Sequence, residues 1–199
     1  DQRPEADLAD IKTSLSQHGI RLVSGSHPLD LLDEADLICL SGGIPLELPL
    51  VQEALRKNIP LSNDSQIFLE HVPCKVIGIT GSAGKTTTTA LVGHMLQASG
   101  VRTWVGGNIG NPLISDLPAV QATDRVVMEL SSFQLELMDI SPRIAGVLNI
   151  TPNHLDRHHT MEAYIAAKRN IVAHQRSGDL AVLAYDEPNA RGLAQATRA

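Results

Sequence analysis

The chain has 199 residues with 43% hydrophobic content, enough to bury a sizeable core in one or two domains. Its formal net charge of -6 argues against a nucleic-acid surface. No run approaches the length of a membrane span and the first residues carry no basic-plus-apolar leader, so the expectation is a cytoplasmic protein that binds neither membrane nor nucleic acid.

Asp1 is not an initiator, and the sequence breaks off in Ala194-Gln195-Ala196-Thr197, which reads as a piece of something longer. A helical pattern runs through Leu8, Ile11 and Leu15 and closes near Gly19. Leu37-Ile38-Cys39-Leu40 reads as a buried strand leading into Ser41-Gly42-Gly43-Ile44-Pro45, and the next helix carries Val51, Ala54 and Leu55 on one face. Strand, glycine turn and helix is the grammar of a βαβ unit. Ile59-Pro60-Leu61-Ser62 follows as a short edge strand and 65–71 as a brief helix. Pro73 marks the expected boundary between a first domain, 1–73, and a second, 74–199. Cys39 and Cys74 lack the paired spacing of a zinc site or a disulfide framework and are expected to be reduced.

The second domain opens on V-I-G-I-T-G-S-A-G-K-T-T-T-T, residues 76–89. This is a β-branched strand, a turn in which Gly81 and Gly84 allow sharp bending and close approach to a ligand, and a helix start. Backbone amides over Gly81, Ser82, Ala83, Gly84, Lys85, Thr86 and Thr87, at the positive end of that helix, can cradle phosphates. Lys85 would reach the outer phosphates and the Thr86 hydroxyl would ligate Mg²⁺. The commoner pattern has a glycine six residues before the lysine; here that position is Ile79, and the signature is the shorter G-x-x-G-K-T.

The helix after this loop is expected to bury a stripe of Leu91, Val92, Met95 and Leu96 and to end at Gly100. Short runs rich in Val, Ile or Leu recur at 101–105, 125–130, 144–149 and 180–184. They predict an α/β fold with a mostly parallel sheet covered on both faces. Ligands of such sheets bind beyond the carboxyl ends of the strands. The segments there are 81–86, 106–110, 129–134 and 151–158, all polar or glycine-rich.

Glu129, at the end of an apolar strand, is either a Mg²⁺ ligand or a solvated strand-end carboxylate. His154 lies in T-P-N-H-L-D-R-H-H; it could pair with His158 on zinc, although no third ligand is indicated, or serve Mg²⁺ or phosphate alone. Asn108 is a turn residue or a substrate contact. Lys168 falls on the apolar stripe of a helix over 161–175, four after Tyr164 and three before Ile171, so it either snorkels to the edge or is held inside for a purpose.

Four blocks in this order, T-G-S-A-G-K-T, G-G-N-I-G-N-P, E-L-S-S-F-Q-L-E and N-I-T-P-N-H-L-D-R-H, resemble the Mur ligases, and the resemblance covers essentially the whole chain. It implies a partial Rossmann-like UDP-binding domain followed by a partial P-loop-type ATPase domain, with the family's first strand and its third domain outside this sequence. It further implies an ATP-dependent ligase of peptidoglycan precursor synthesis, in which a carboxylate attacks the γ-phosphate and an amine displaces phosphate from the resulting acyl phosphate. The E-L-S-S-F-Q-L block points to UDP-N-acetylmuramoyl-L-alanine and D-glutamate as the substrates of a monomeric enzyme. Carried over by residue, Lys85 and Thr86 would hold the phosphates and Mg²⁺, with Glu129 on the same ion. His154 and a carbamylated Lys168 would serve a second Mg²⁺, Asn108, Ser131 and Gln134 the muramoyl substrate, and Arg3 the uracil. Ser82-Ala83 and Ser41-Gly42-Gly43 depart from the commoner Thr-Asn and Ser-Pro-Gly, and Ala184-Tyr185-Asp186-Glu187 from an Asn-containing turn. A folylpolyglutamate synthase-like ligase would share the loop and metal residues but lack E-L-S-S-F-Q-L. A nucleotide-binding piece without turnover is the remaining alternative.

Overall fold

The computed structural model describes residues 3–110 and 112–199. Asp1 and Gln2 of the expected uracil-side turn, and Asn111 of G-G-N-I-G-N-P, lie outside the described residues. The chain forms two compact units, Asp1–Ile38 with Ile44–Leu61, and Cys39–Gly43 with Ser62–Ala199; Pro73 falls inside the second.

In the first unit a 3-10 turn, Glu5–Leu8, runs into helix α1, Ala9–Gln17. Of the expected stripe only Leu8 is buried, whereas Ile11 is exposed. Helix α2, Pro49–Arg56, starts with proline at its first turn, where the missing amide costs nothing. It buries Val51 and Ala54 and leaves Leu55 exposed. The strand expected over 37–40 shrinks to β1, Ile38–Cys39, paired with β2, Leu61–Ser62. It is no buried strand: Leu37 and Cys39 are both exposed. A two-stranded ribbon has too little sheet around it to cover both faces of each strand.

The second unit contains α3, Asp64–His71, capped by the Asn63 side chain, which accepts the Gln66 amide at 2.8 Å. It is followed by β3, Lys75–Thr80; α4, Lys85–Ala98; β4, Thr103–Gly107; β5, Arg125–Glu129; and α5, Ser132–Leu135. Then come β6, Ile144–Val147; α6, Leu155–His158; α7, Met161–Ala173; β7, Leu180–Leu183; and α8, Pro188–Gly192. The five strands β3 to β7 make one sheet in the order β4-β5-β3-β6-β7, and the described pairings are parallel, as the α/β expectation required.

One face of this sheet carries Val76, Val126, Met128, Ala145 and Val147 into a core shared with Phe68 of α3, Leu135 of α5, and Tyr164, Ile171 and Val172 of α7. On the other face α4 packs on β4, β5 and β3, while Leu180 and Val182 of β7 stay exposed, so the expected cover on both faces is complete on one face only. The buried face of α4 passes through Thr89 and Gly93, not through the expected Leu91 and Met95, which are 57% and 61% exposed. The reason is steric: a Cβ on Gly93 would collide with Cγ2 of Val105, so the helix lies on the sheet through its smallest residue. Alanine at an interior helix glycine ordinarily gains up to about 1 kcal/mol. Gly93→Ala is instead expected to cost roughly 1–3 kcal/mol, because overpacking against a stiff β-branched neighbour outweighs propensity. Urea unfolding of the two proteins would show it, and a more stable variant would contradict the packing.

Candidate active site

The phosphate loop joins β3 to α4 at the carboxyl edge of the sheet. Gly84 caps α4 with φ of 81°, a left-handed conformation that favours glycine. Among the described residues, the amides of Gly84, Lys85, Thr86 and Thr87 have no acceptor within the chain, so four unpaired donors stand at the positive end of a 14-residue helix. The Lys85 ammonium folds back onto the loop, donating to Gly81 O at 3.0 Å and Ser82 O at 3.4 Å. The amides of Ser82 and Ala83, also expected at the phosphates, are occupied: both donate to Asn149, through its main-chain O and Oδ1, each at 2.9 Å.

Beside the loop, Glu129 ends β5 and is 2% exposed. Its Oε2 accepts the Thr86 hydroxyl at 2.8 Å and its Oε1 accepts Asn108 Nδ2 at 3.0 Å. The solvated strand-end alternative is thereby excluded for this carboxylate. Gly107, at φ of 103°, allows the approach of Asn108, since a Cβ there would strike the Glu129 carbonyl. Asn108 N–H donates to that same carbonyl at 2.9 Å, so it is both a turn residue and a side-chain partner of Glu129.

Lys168 points inward. At 1% exposure its Nζ donates to Thr80 Oγ1 at 3.2 Å and to Gly81 O at 3.1 Å, and lies 4.9 Å from the centre of the Tyr164 ring. Burial, reinforced by the like charge of Lys85 and opposed by Glu129, brings its pKa from 10.5 down to about 7. Thr80 in turn donates its hydroxyl to Leu130 O at 2.7 Å, which leaves its lone pairs toward the lysine.

His154 stands apart from these groups. It adopts φ of 53°, and its ring packs on Phe133 with centroids 5.1 Å apart; among the described residues no hydrogen bond joins it to Thr86, Glu129 or Lys168. His158 stacks on the same Phe133 at 5.2 Å and bonds through Nε2 to the Ser132 hydroxyl at 2.9 Å. Burial lowers its pKa, with nearby His154 and Lys168 adding to the effect. Among the described residues no three His, Cys, Asp or Glu side chains converge as a metal cluster.

Ser131 and Gln134 are brought together as the capping box of α5. Gln134 Oε1 accepts the Ser131 amide at 3.0 Å and hydroxyl at 2.9 Å, and Gln134 Nε2 donates to Ser65 at 2.7 Å. Arg3 lies in the first unit, where its carbonyl accepts the Gly25 amide at 3.1 Å. Three participants were not singled out from sequence: Thr80, Phe133 and Asn149. The signal for Asn149 was present, an amide side chain at the end of an apolar run, but its partner lies 66 residues away.

A parallel sheet whose first described strand turns through a glycine loop into a helix with open amides, flanked by a threonine bonded to a buried glutamate, defines an α/β domain of the phosphate-loop class. Residues 79–199 match the model of the Mur ligase middle domain, and the chain belongs to the Mur ligase family. It is 44% identical over 198 residues to the UDP-N-acetylmuramoylalanine--D-glutamate ligase of Symbiobacterium thermophilum, an alignment covering 100% of this chain and 44% of that protein. The chain thus spans under half the length of the curated relatives it matches. Two solved structures share the fold. The UDP-N-acetylmuramate:L-alanyl-gamma-D-glutamyl-meso-diaminopimelate ligase of Neisseria meningitides is 21% identical with a TM-score of 0.56, covering 94% of this chain and 64% of that one. The MurF ligase of Thermotoga maritima, solved in complex with ADP, is 20% identical with a TM-score of 0.53, covering 82% and 46%. No helix among the described residues is long and apolar enough to cross a membrane.

Proposed function

We propose that, at the length of its relatives, this protein is a cytoplasmic, monomeric ATP-dependent ligase that joins D-glutamate to UDP-N-acetylmuramoyl-L-alanine through an acyl phosphate. In this reading 1–73 belongs to a UDP-binding domain and 74–199 to a central ATP-binding domain. The observation that carries it is the Thr86 hydroxyl bonded to the buried Glu129 carboxylate, set against four open amides and two lysines, in a chain 44% identical to a ligase of that name.

The open amides and Lys85 would hold the β- and γ-phosphates and offset the charge that accumulates as the phosphoryl group is transferred. The oxygens of Thr86 and Glu129, 2.8 Å apart, are hard donors of the kind Mg²⁺ takes, and these two side chains would hold it. Bound there, the ion would supply charge neutralisation between the phosphates. Lys168 and His154 would hold a second ion once the Lys168 amine has added CO₂, forming an N–C bond, releasing one proton and becoming a carbamate. A neutral amine is needed for that addition, and the lowered pKa of Lys168 supplies it near neutrality. Asn108 and the Ser131–Gln134 turn would face the muramoyl substrate and Arg3 the uracil.

The test is ADP release by the protein at the length of its relatives. Release should require UDP-N-acetylmuramoyl-L-alanine and D-glutamate, and folate with L-glutamate should not replace them. Glu129→Gln, nearly isosteric, should lower the rate on the order of 10²-fold or more with little change in melting temperature. Turnover with folate, or a Glu129→Gln variant within a few-fold of the parent at saturating Mg²⁺, would overturn the reading.

A further inference from the structure

The segment 149–151 is bonded to the phosphate loop more densely than its sequence suggests. Asn149 O accepts the Ser82 amide at 2.9 Å, Asn149 Oδ1 accepts the Ala83 amide at 2.9 Å, and Asn149 Nδ2 donates to Ala83 O at 3.0 Å. The Ser82 hydroxyl donates to Thr151 O at 2.8 Å and accepts the Thr151 amide at 2.9 Å, which leaves the Tyr164 hydroxyl, 3.0 Å away, as a second donor to it. The segment is fixed from behind as well: Glu187 Oε2 accepts the Ile150 amide at 3.1 Å, and Asn189 Nδ2 donates to Ile150 O at 2.8 Å.

The Asn149 side chain therefore treats Ala83 as a β-strand neighbour would, taking its amide and serving its carbonyl. Only a primary amide on a short stem can do both: Asp accepts but cannot donate, and an apolar residue does neither. The consequence concerns which donors remain. With Ser82 and Ala83 held by Asn149, the loop amides left without an acceptor among the described residues are those of Gly84, Lys85, Thr86 and Thr87. We propose that Asn149 is a positioning residue of the phosphate site, clamping the loop at Ala83 so that the Gly84 to Thr87 amides, and not those of Ser82 and Ala83, receive the phosphate oxygens. The proposal rests on the nucleotide reading above, and deepens it by dividing the loop into a clamped half and a binding half. A loop clamped before the ligand arrives loses less entropy on binding.

Amide-resolved NMR of the 199-residue chain tests it. In the nucleotide-free chain the Ala83 amide should be protected from exchange, and Asn149→Ala should abolish that protection. On adding Mg-ADP, the Gly84 to Thr87 amides should shift strongly while Ser82 and Ala83 stay near their starting positions. Mg-ADP affinity, read by calorimetry, should fall on the order of tenfold in Asn149→Ala, the cost of ordering a loop no longer held in place, with the melting temperature little changed. Large shifts of Ser82 and Ala83, or an affinity within about twofold of the parent, would overturn the proposal. Should Asn149→Ala fail to fold, the shift pattern of the unaltered chain decides alone. A chain that binds no Mg-ADP would defeat the nucleotide reading, whereas an unprotected Ala83 amide would defeat the clamp whether or not nucleotide binds.

Discussion

Lys168→Met should raise the stability of the metal-free chain, by about 2–4 kcal/mol near pH 7, and the gain should shrink as the pH rises. The sign follows from where each state holds its proton. The unfolded lysine keeps its proton up to about 10.5, while the folded one releases it at about 7. Below pH 7 both states are protonated and the folded chain carries a buried ammonium at its full cost. Between pH 7 and 10.5 the unfolded chain binds the extra proton, so the stability of the lysine-containing chain climbs with pH, by about 1.4 kcal/mol per unit for one group. Above that window neither state is charged and the penalty is gone. Burial also raises the Tyr164 pKa, which would bend the curve at alkaline pH, but Tyr164 is common to both proteins and largely cancels in their difference. Urea unfolding of the two chains in bicarbonate-free buffer from about pH 6.5 to 9.5 measures this difference directly. A difference independent of pH would mean that Lys168 is charged in the folded state throughout, and would remove the neutral amine on which carbamylation depends.

How much of this was legible in the sequence depends on whether the deciding contact was local. The strand, glycine turn and helix of 76–89 are set by adjacent residues, so the loop could be read with its place at the carboxyl edge of a parallel sheet. The inward Lys168 was legible for the same reason, since helical spacing from Tyr164 and Ile171 placed it on the buried stripe. The seating of α4 was not, because Leu91 and Met95 satisfy helical periodicity as well as Thr89 and Gly93 do. Only the collision a side chain at Gly93 would have with Val105 on β4 selects between the two faces. Ser131 and Gln134 show the opposite case. S-S-F-Q is a capping box written in four adjacent residues, so this contact is legible without the fold. The role of Asn149 is not legible locally: its segment shows an amide at the end of an apolar run, but the partner that explains it is the Ala83 amide and carbonyl on another strand's loop.

Lys85→Ala should lower Mg-ATP affinity by about 100-fold or more, the largest effect on binding expected of any single change in the loop. Lys85 is the one loop side chain that brings a full positive charge toward the open amides, and a charged hydrogen bond to phosphate is roughly twice as strong as a neutral one. In the nucleotide-free chain that ammonium satisfies only Gly81 O and Ser82 O, the longer contact being 3.4 Å. Its removal leaves Gly81 O still bonded to Lys168 and frees only Ser82 O, so little folding energy is lost. Unfolding temperature should change little, which separates a binding defect from a folding defect. The same substitution carries a second expectation. Lys85 is the like charge that assists burial in lowering the Lys168 pKa, so removing it should move the Lys168 titration upward toward the ordinary lysine range, with Glu129 left as the nearest opposing charge. Titration of ¹⁵N-labelled lysine Nζ in both proteins would read that movement, and calorimetry the affinity. An affinity within about threefold of the parent would take Lys85 out of the phosphate site. An unmoved Lys168 titration would show that burial beside Thr80 and Tyr164 sets its pKa without help from the loop.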